Sequence, residues 1–301
     1  MSRTSWSLLL ALLAVLAPGA GTASAASTPR HGPAGAAFYT PPSKLPAGRH
    51  GALIWTRAYE GLGTPGTHPY LVGLSEGRST LDIVRAAHAL DPRISARKVI
   101  ISGHSQGGHA ALFAAALAPD WTPELGVRGT VAFAPVSHVD DQIPLTTGLT
   151  SPGGGLSGLI SIIARGIAAV TPALDTNALL SDEALALYPQ TLTQCLPELS
   201  TPASFGGQAP ASIFRAGADL APVAAALDAQ DSSHLKIRTP LLIEQGAADT
   251  TVFPQFTAQL DTELKANGAK PVYRTYAGVD HGGVVTAAAK DATSWIAKRL
   301  R

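Results

Sequence analysis

The chain has 301 residues, 46% hydrophobic and 14% charged, with 30 glycines and 23 prolines. Its 22 basic and 21 acidic residues leave a net charge of +1, without the basic excess of a nucleic-acid binder, and the apolar fraction is too high for a disordered chain. A lone cysteine, Cys195, excludes a disulfide framework within the chain and a cysteine-rich metal centre, and the length suits one large domain or one domain with a sizeable insertion.

Residues 1–25 read as a secretory signal peptide. Arg3 lies in a short polar start, and Leu8 to Ala17 is an unbroken apolar run, shorter than the ~20 residues a spanning helix needs. Ala23-Ser24-Ala25 offers a small-residue cleavage site. The expected mature chain starts near Ala26 and is exported. Loss of the leader removes only Arg3 among the charged residues and leaves 21 of each sign.

Residues 26–50 form a Pro-, Gly- and Ala-rich lead-in, followed by a plausible strand from Ala52 to Ala58. Glycines at 61, 63, 66, 73 and 77 with Pro65 and Pro69 predict a loop over 60–77. Leu81, Val84, Ala87 and Leu90 share one face of a helix predicted over 79–90. A β-branched strand over 98–102, a small-residue helix over 107–117 and a strand over 129–135 follow. From His138 to Arg238 this rhythm stops, and an apolar run from Leu159 to Val170 is followed by Pro-punctuated helical pieces. The rhythm then resumes with a strand over 240–245, a helix over 255–267 stopping at Gly268, a strand over 271–276 and a closing helix over 284–300. Strands alternating with helices predict an α/β fold with a mostly parallel sheet. A block of ~100 residues between two such units exceeds any ordinary connection. The expected division is a core over 26–137 and 239–301 with a helical cap over 138–238.

Gly103-His104-Ser105-Gln106-Gly107-Gly108 lies between the Val99-Ile100-Ile101 strand and the small-residue helix, the setting of a nucleophile elbow. The sharp turn there holds the serine in a strained backbone with its hydroxyl exposed. The amide N–H of Gln106, first in the helix, points to where an oxyanion would form. Gly73-Leu74-Ser75-Glu76-Gly77 has the same spelling but no matching strand and small-residue helix, so Ser75 or Ser79 reads as a helix cap. Gly61 to Gly66 spells a dinucleotide fingerprint, yet it holds Pro65 and opens no helix. A serine nucleophile needs a base and the base an orienting acid. Asp249 and His281 each follow a predicted strand, on the same sheet edge as Ser105. Asp249 as a helix cap and Asp280 as the acid remain alternatives. His104, His109, His138 and His234 are the rival histidines, each read as an ordinary surface or core residue, and no zinc-type His-Glu-x-x-His pattern occurs.

The runs Tyr59-Glu60-Gly61-Leu62-Gly63-Thr64-Pro65-Gly66, His68-Pro69-Tyr70 and Gly77-Arg78-Ser79, together with the elbow and the opening Phe38-Tyr39-Thr40-Pro41-Pro42, resemble the secretory triacylglycerol lipases. The resemblance implies an α/β-hydrolase core with a large helical cap, hydrolysis of carboxylic esters of lipids, and Ser105, Asp249 and His281 as the triad. It also implies two departures. The family carries an Asp before the Tyr-Glu-Gly run, tied to the oxyanion hole, where this chain has Ala58. The family also separates its Pro-rich start from that run by a long stretch with a His-Gly loop, so the core here is N-terminally shortened, with one strand before the elbow strand.

The expected chemistry is two-step acyl transfer, with no metal or cofactor and with Gln106 and the loop near Ala58 supplying the oxyanion donors. The expected partner is a lipid ester; no nucleic acid or partner protein is expected, and contact with a lipid interface is open. Leu156, Leu159, Ile160, Ile162, Ile163, Ile167 and Val170 are expected to line an apolar tunnel. An impaired lipid-binding relative, and a peptidase or acyltransferase on the same residues, are the alternatives. Cys195 reads either as having lost its partner with the missing stretch or as a buried free thiol.

Overall fold

The computed structural model describes the strand His50–Thr56 and residues 66–301. The proposed leader, the Tyr59-Glu60-Gly61 run and Ala58 lie outside the described residues.

Among the described residues, five strands form one parallel sheet in chain order, β1 (His50–Thr56), β2 (Ile94–His104), β3 (Val127–Phe133), β4 (Leu241–Gly246) and β5 (Pro271–Tyr276). Among the described residues only β1 precedes β2. Helix α1 (Gly73–Leu90) leads into β2, and α2 (Gln106–Trp121) joins β2 to β3. The sheet is covered on both faces, which explains why its central strands are runs of apolar residues rather than alternating patterns. Ile100, Val131 and Leu242 pack with Val284, Trp295 and Ile296 on one face. On the other, Val99 and Ile101 pack with Leu81 and Val84 of α1 and Ala111 and Ala114 of α2. Alternate residues of a strand face opposite ways, so each of these short runs serves two layers at once.

Helix α1 starts six residues before the predicted position. Gly73 and Gly77, read as loop breakers, are contact points between helices. A Cβ on Gly73 would lie 2.2 Å from the Phe113 ring, and one on Gly77 would lie 3.0 Å from the Ala114 amide nitrogen. Close approach, not turning, is what these positions require, so the expected loop ends at Val72. Ser75 and Ser79 lie within the helix, whose N-cap is Val72 with no side-chain cap; neither serine caps it.

Between β3 and β4 the chain is helical, with α3 (Ile143–Thr147), α4 (Gly155–Val170), α5 (Thr176–Leu179), α6 (Asp182–Leu187), α7 (Leu196–Leu199) and α8 (Ala221–Asp228). Its β pairing among the described residues is one isolated bridge, Leu180 to Phe214. Leu180, Tyr188, Leu199, Phe205 and Ile213 make a small core of their own, with Ile160 and Ile162 against it. Val72, Ile167, Val223 and Leu227 form a second cluster, which ties this layer to the sheet layer. Cys195 is exposed and free, so the buried-thiol reading does not hold. After β4 come α9 (Pro254–Ala266), then β5, and the closing helix divides at Ala288 into α10 (Val284–Ala287) and α11 (Ala289–Leu300).

Helix α4 meets the sheet layer at Gly166, where a Cβ would stand 2.2 Å from the Tyr70 carbonyl oxygen and 2.6 Å from its amide nitrogen. Backbone cannot yield as a flexible side chain can. Gly166→Ala is expected to lose about 1–3 kcal/mol by overpacking, visible as a lower urea midpoint.

Candidate active site

Ser105 follows β2 directly and holds φ 61° and ψ −124°. This backbone is strained for a residue with a Cβ and persists only where its surroundings over-determine it. Its amide N–H donates to the Phe133 carbonyl at 2.9 Å, while its own carbonyl accepts from Gly108, His109 and Val136. Gly108 lets the new helix lie against the end of β3, since a Cβ there would be 2.9 Å from the Pro135 Cα. The result is a half-buried serine at the start of α2. Gln106 is the first residue of α2, so its amide N–H has no intrahelical acceptor. Its side chain is buried.

Asp249 follows β4, and its side chain is fully buried. Its Oδ1 accepts from the amides of Thr251 at 2.8 Å and Val252 at 2.9 Å. Its Oδ2 accepts from His281 Nδ1 at 2.7 Å and from Gln245 Nε2 at 3.2 Å. Burial pushes this carboxyl upward, but the hydrogen bond and charge of His281 and the two amides outweigh it and hold the group below its ordinary value. The N-cap of α9 is Phe253, so Asp249 does not cap that helix. Asp280 turns away and accepts from the Gly283 amide at 2.7 Å.

His281 follows β5 and retains 21% side-chain exposure. With Nδ1 donating to Asp249, its Nε2 is the nitrogen left to act as a base. His104, beside Ser105, packs its ring on His281 with centroids 4.5 Å apart, and its Nε2 donates to the His281 carbonyl at 2.8 Å. The elbow and the histidine loop are thus in direct contact. Asp249 and His281 are joined by a hydrogen bond; Ser105 Oγ and His281 are not. Such bonds are often long in a free enzyme and tighten with substrate.

Sequence reasoning missed three participants. Gln245 fastens Asp249 and accepts from the Thr257 hydroxyl at 2.8 Å. His104, which the sequence presents as an ordinary surface or core residue, packs on His281. Glu76, buried on α1, accepts from the Leu71 amide at 2.8 Å and from the Gln106 side chain, and pairs with His109 Nδ1 at 2.8 Å. The other nitrogen of His109 donates to the Gln230 carbonyl at 2.7 Å. Burial pulls the His109 imidazole down, but the hydrogen bond and charge of Glu76 overcome this and raise it above its ordinary value. Two acceptors on one ring favour the doubly protonated form. Of the other rivals, His138 is buried with Nε2 2.8 Å from Glu263, and His234 pairs with Asp228 on the surface.

An apolar cleft opens onto Ser105. Its walls include Tyr70, Leu71, Val252 and, from α4, Leu156, Leu159, Ile160, Ile163 and Ile167. Two of the seven residues expected there lie elsewhere. Ile162 packs into the small core of the helical segment itself, and Val170, at the end of α4, is 45% exposed. The helix period puts Leu156, Leu159, Ile160, Ile163 and Ile167 on one stripe and Ile162 off it; Val170 continues that stripe, but as the last residue of α4 it is not among the cleft walls.

A sequence model of the family described as secretory lipase matches residues 45–301. The chain belongs to the secretory lipase family. Lipase A of Moesziomyces aphidis is 30% identical over 137 residues, which covers 43% of this chain and 28% of that protein. The crystal structure of Candida antarctica lipase A in its closed state superposes with a TM-score of 0.66 at 21% identity, covering 77% of this chain and 57% of that one. The rice cell wall degrading esterase LipA from Xanthomonas oryzae superposes with a TM-score of 0.63 at 20% identity, covering 79% of this chain and 68% of that one. The chain therefore spans about a quarter of the first of these relatives and little more than half of the second. As a fold, this member is an α/β-hydrolase: a parallel sheet between helical layers, with a helical segment inserted between β3 and β4.

Proposed function

We propose that this secretory lipase family member is a secreted serine hydrolase that cleaves carboxylic esters of lipids, with Ser105 as nucleophile, His281 as base and Asp249 as orienting acid. The observation that carries the reading is the apolar cleft meeting a strained serine near an Asp–His pair whose carboxylate is buried. Ser105 Oγ attacks the ester carbonyl while His281 Nε2 takes its proton, and Asp249 holds the ring in the tautomer that leaves Nε2 free. The tetrahedral oxyanion is met by the Gln106 amide N–H. The carbonyl re-forms, the C–O bond to the alcohol breaks, and His281 returns the proton to the departing alcohol. Water then attacks the acyl-serine, giving up a proton to His281, and the acid leaves as Ser105 is re-protonated. The cleft walls favour an apolar acyl chain, since each buried methylene contributes about 0.8 kcal/mol. A second oxyanion donor is assigned to the loop near Ala58, which lies outside the described residues. Residues 138–238 are taken as the cap over the core, and residues 1–25 as the export signal.

A fluorophosphonate probe tests this. The expected result is stoichiometric labelling, with the modified peptide carrying Ser105, and labelling blocked by a long-chain ester. Labelling at another serine, or none in the folded protein, would overturn the reading.

A further inference from the structure

Resting on that reading, we infer that Glu76 is a positioning residue for the oxyanion site. One of its carboxylate oxygens, Oε1, holds two things at once: the Leu71 amide at 2.8 Å and the side chain of Gln106, whose own amide N–H is the assigned oxyanion donor. Leu71 stands at φ 61°, an uncommon conformation for a leucine, and its side chain lines the cleft next to Ser105. The other oxygen, Oε2, is anchored by His109 on the next turn of the elbow helix. Glu76 is 1% exposed and His109 2%, so neither is free to turn to water. A single carboxylate therefore sets the relation between the helix that presents the donor and the loop that walls the substrate. Removing it frees both, and a misplacement of about 1 Å at a reacting centre lowers rate by roughly 10²-fold.

The test compares Glu76→Ala, Glu76→Gln and Gln106→Ala in hydrolysis of a soluble short-chain p-nitrophenyl ester and in binding of a trifluoromethyl ketone, which forms a tetrahedral adduct. Glu76→Ala is expected to lower kcat roughly 10²-fold with KM little changed, and to weaken the ketone in parallel. Glu76→Gln should restore most of kcat. Its carbonyl can accept from Leu71 and Gln106 while its amide donates to a neutral His109, whose remaining N–H still serves Gln230. Gln106→Ala keeps the backbone donor but cuts its anchor, and should lower kcat and ketone affinity by about 10-fold. This arm decides the question if Glu76→Ala does not fold. A role in folding alone would lower the melting temperature while leaving kcat per folded molecule and ketone affinity unmoved, and that result would overturn the proposal. Ser105→Ala separates the two levels. Undiminished hydrolysis there would remove the hydrolase reading and this inference with it. Loss in Ser105→Ala with unchanged kcat in the Glu76 and Gln106 variants would overturn the positioning role alone.

Discussion

Asp249→Asn is expected to lower kcat for ester hydrolysis about 10⁴-fold with the fold retained. The size of the effect follows from which oxygen can be replaced. Oδ1 accepts two backbone amides, Thr251 and Val252, which cannot turn away. The asparagine must therefore keep its carbonyl there and place its amide where Oδ2 was, against His281 Nδ1 and Gln245 Nε2. An amide donating to Nδ1 forces the proton onto Nε2, so the ring faces Ser105 as a donor and cannot take its proton. Measurement of kcat alongside the urea midpoint checks this. A variant within 10-fold of the parent rate would show that Asp249 does not set the tautomer. The wild-type carboxyl is held below its ordinary value, so it contributes stability above its unfolded pKa, and that contribution is lost as pH falls through the depressed folded value.

The second expected result concerns Glu244 and has the opposite sign. This residue of β4 is fully buried, and burial pushes its carboxyl up to about 7 from 4.5, against the Tyr276 hydrogen bond and the charge of Arg274 that pull it down. Tyr276 Oη lies 2.9 Å from Glu244 Oε2 and 3.0 Å from Asp291 Oδ2. One phenolic proton cannot serve two carboxylates, so the protonated acid is the form that suits this corner. Burial and the same two acids also drive the Tyr276 phenol strongly upward, so it keeps its proton throughout. An acid whose folded pKa is raised leaves stability unaffected below its unfolded pKa and lowers it as pH rises through the folded value. The shift corresponds to about 3 kcal/mol lost between pH 4.5 and 8. Glu244→Gln cannot ionise. The difference in unfolding free energy between variant and parent should move by about that amount in the variant's favour over this range. Urea melts at pH 4 and 8.5 measure it, and a difference independent of pH would show that Glu244 does not titrate in the folded protein.

Much of the fold was legible because the local pattern and the global arrangement agree. Val99-Ile100-Ile101 and Leu241-Leu242-Ile243 read as strands because they are short apolar runs, the length and pattern that suit a strand covered on both faces. The loop predicted over 60–77 fails from Gly73 onward for a physical reason. A glycine that turns the chain and a glycine that admits a neighbouring ring have the same letter, and Phe113, which decides between them, lies far along the chain. Glu76 was invisible on similar grounds. An acid on a helix reads as a solvated residue until the partners 30 and 33 positions away are known.

The sequence by itself determined the alternation of strands and helices, the inserted helical block, the strand–turn–helix around Ser105, and the ends of β4 and β5 as the places where Asp249 and His281 sit. These rest on short-range periodicity and on turn chemistry, which neighbouring residues suffice to specify. Only the tertiary structure decided that Asp249 faces His281 rather than capping α9, that His104 packs on the histidine loop, that Glu76 ties α1 to the elbow helix, and which stripe of α4 faces the cleft. Each of these is a contact between segments brought together by burial of apolar surface, and burial specifies a partner only when the layers have closed on one another.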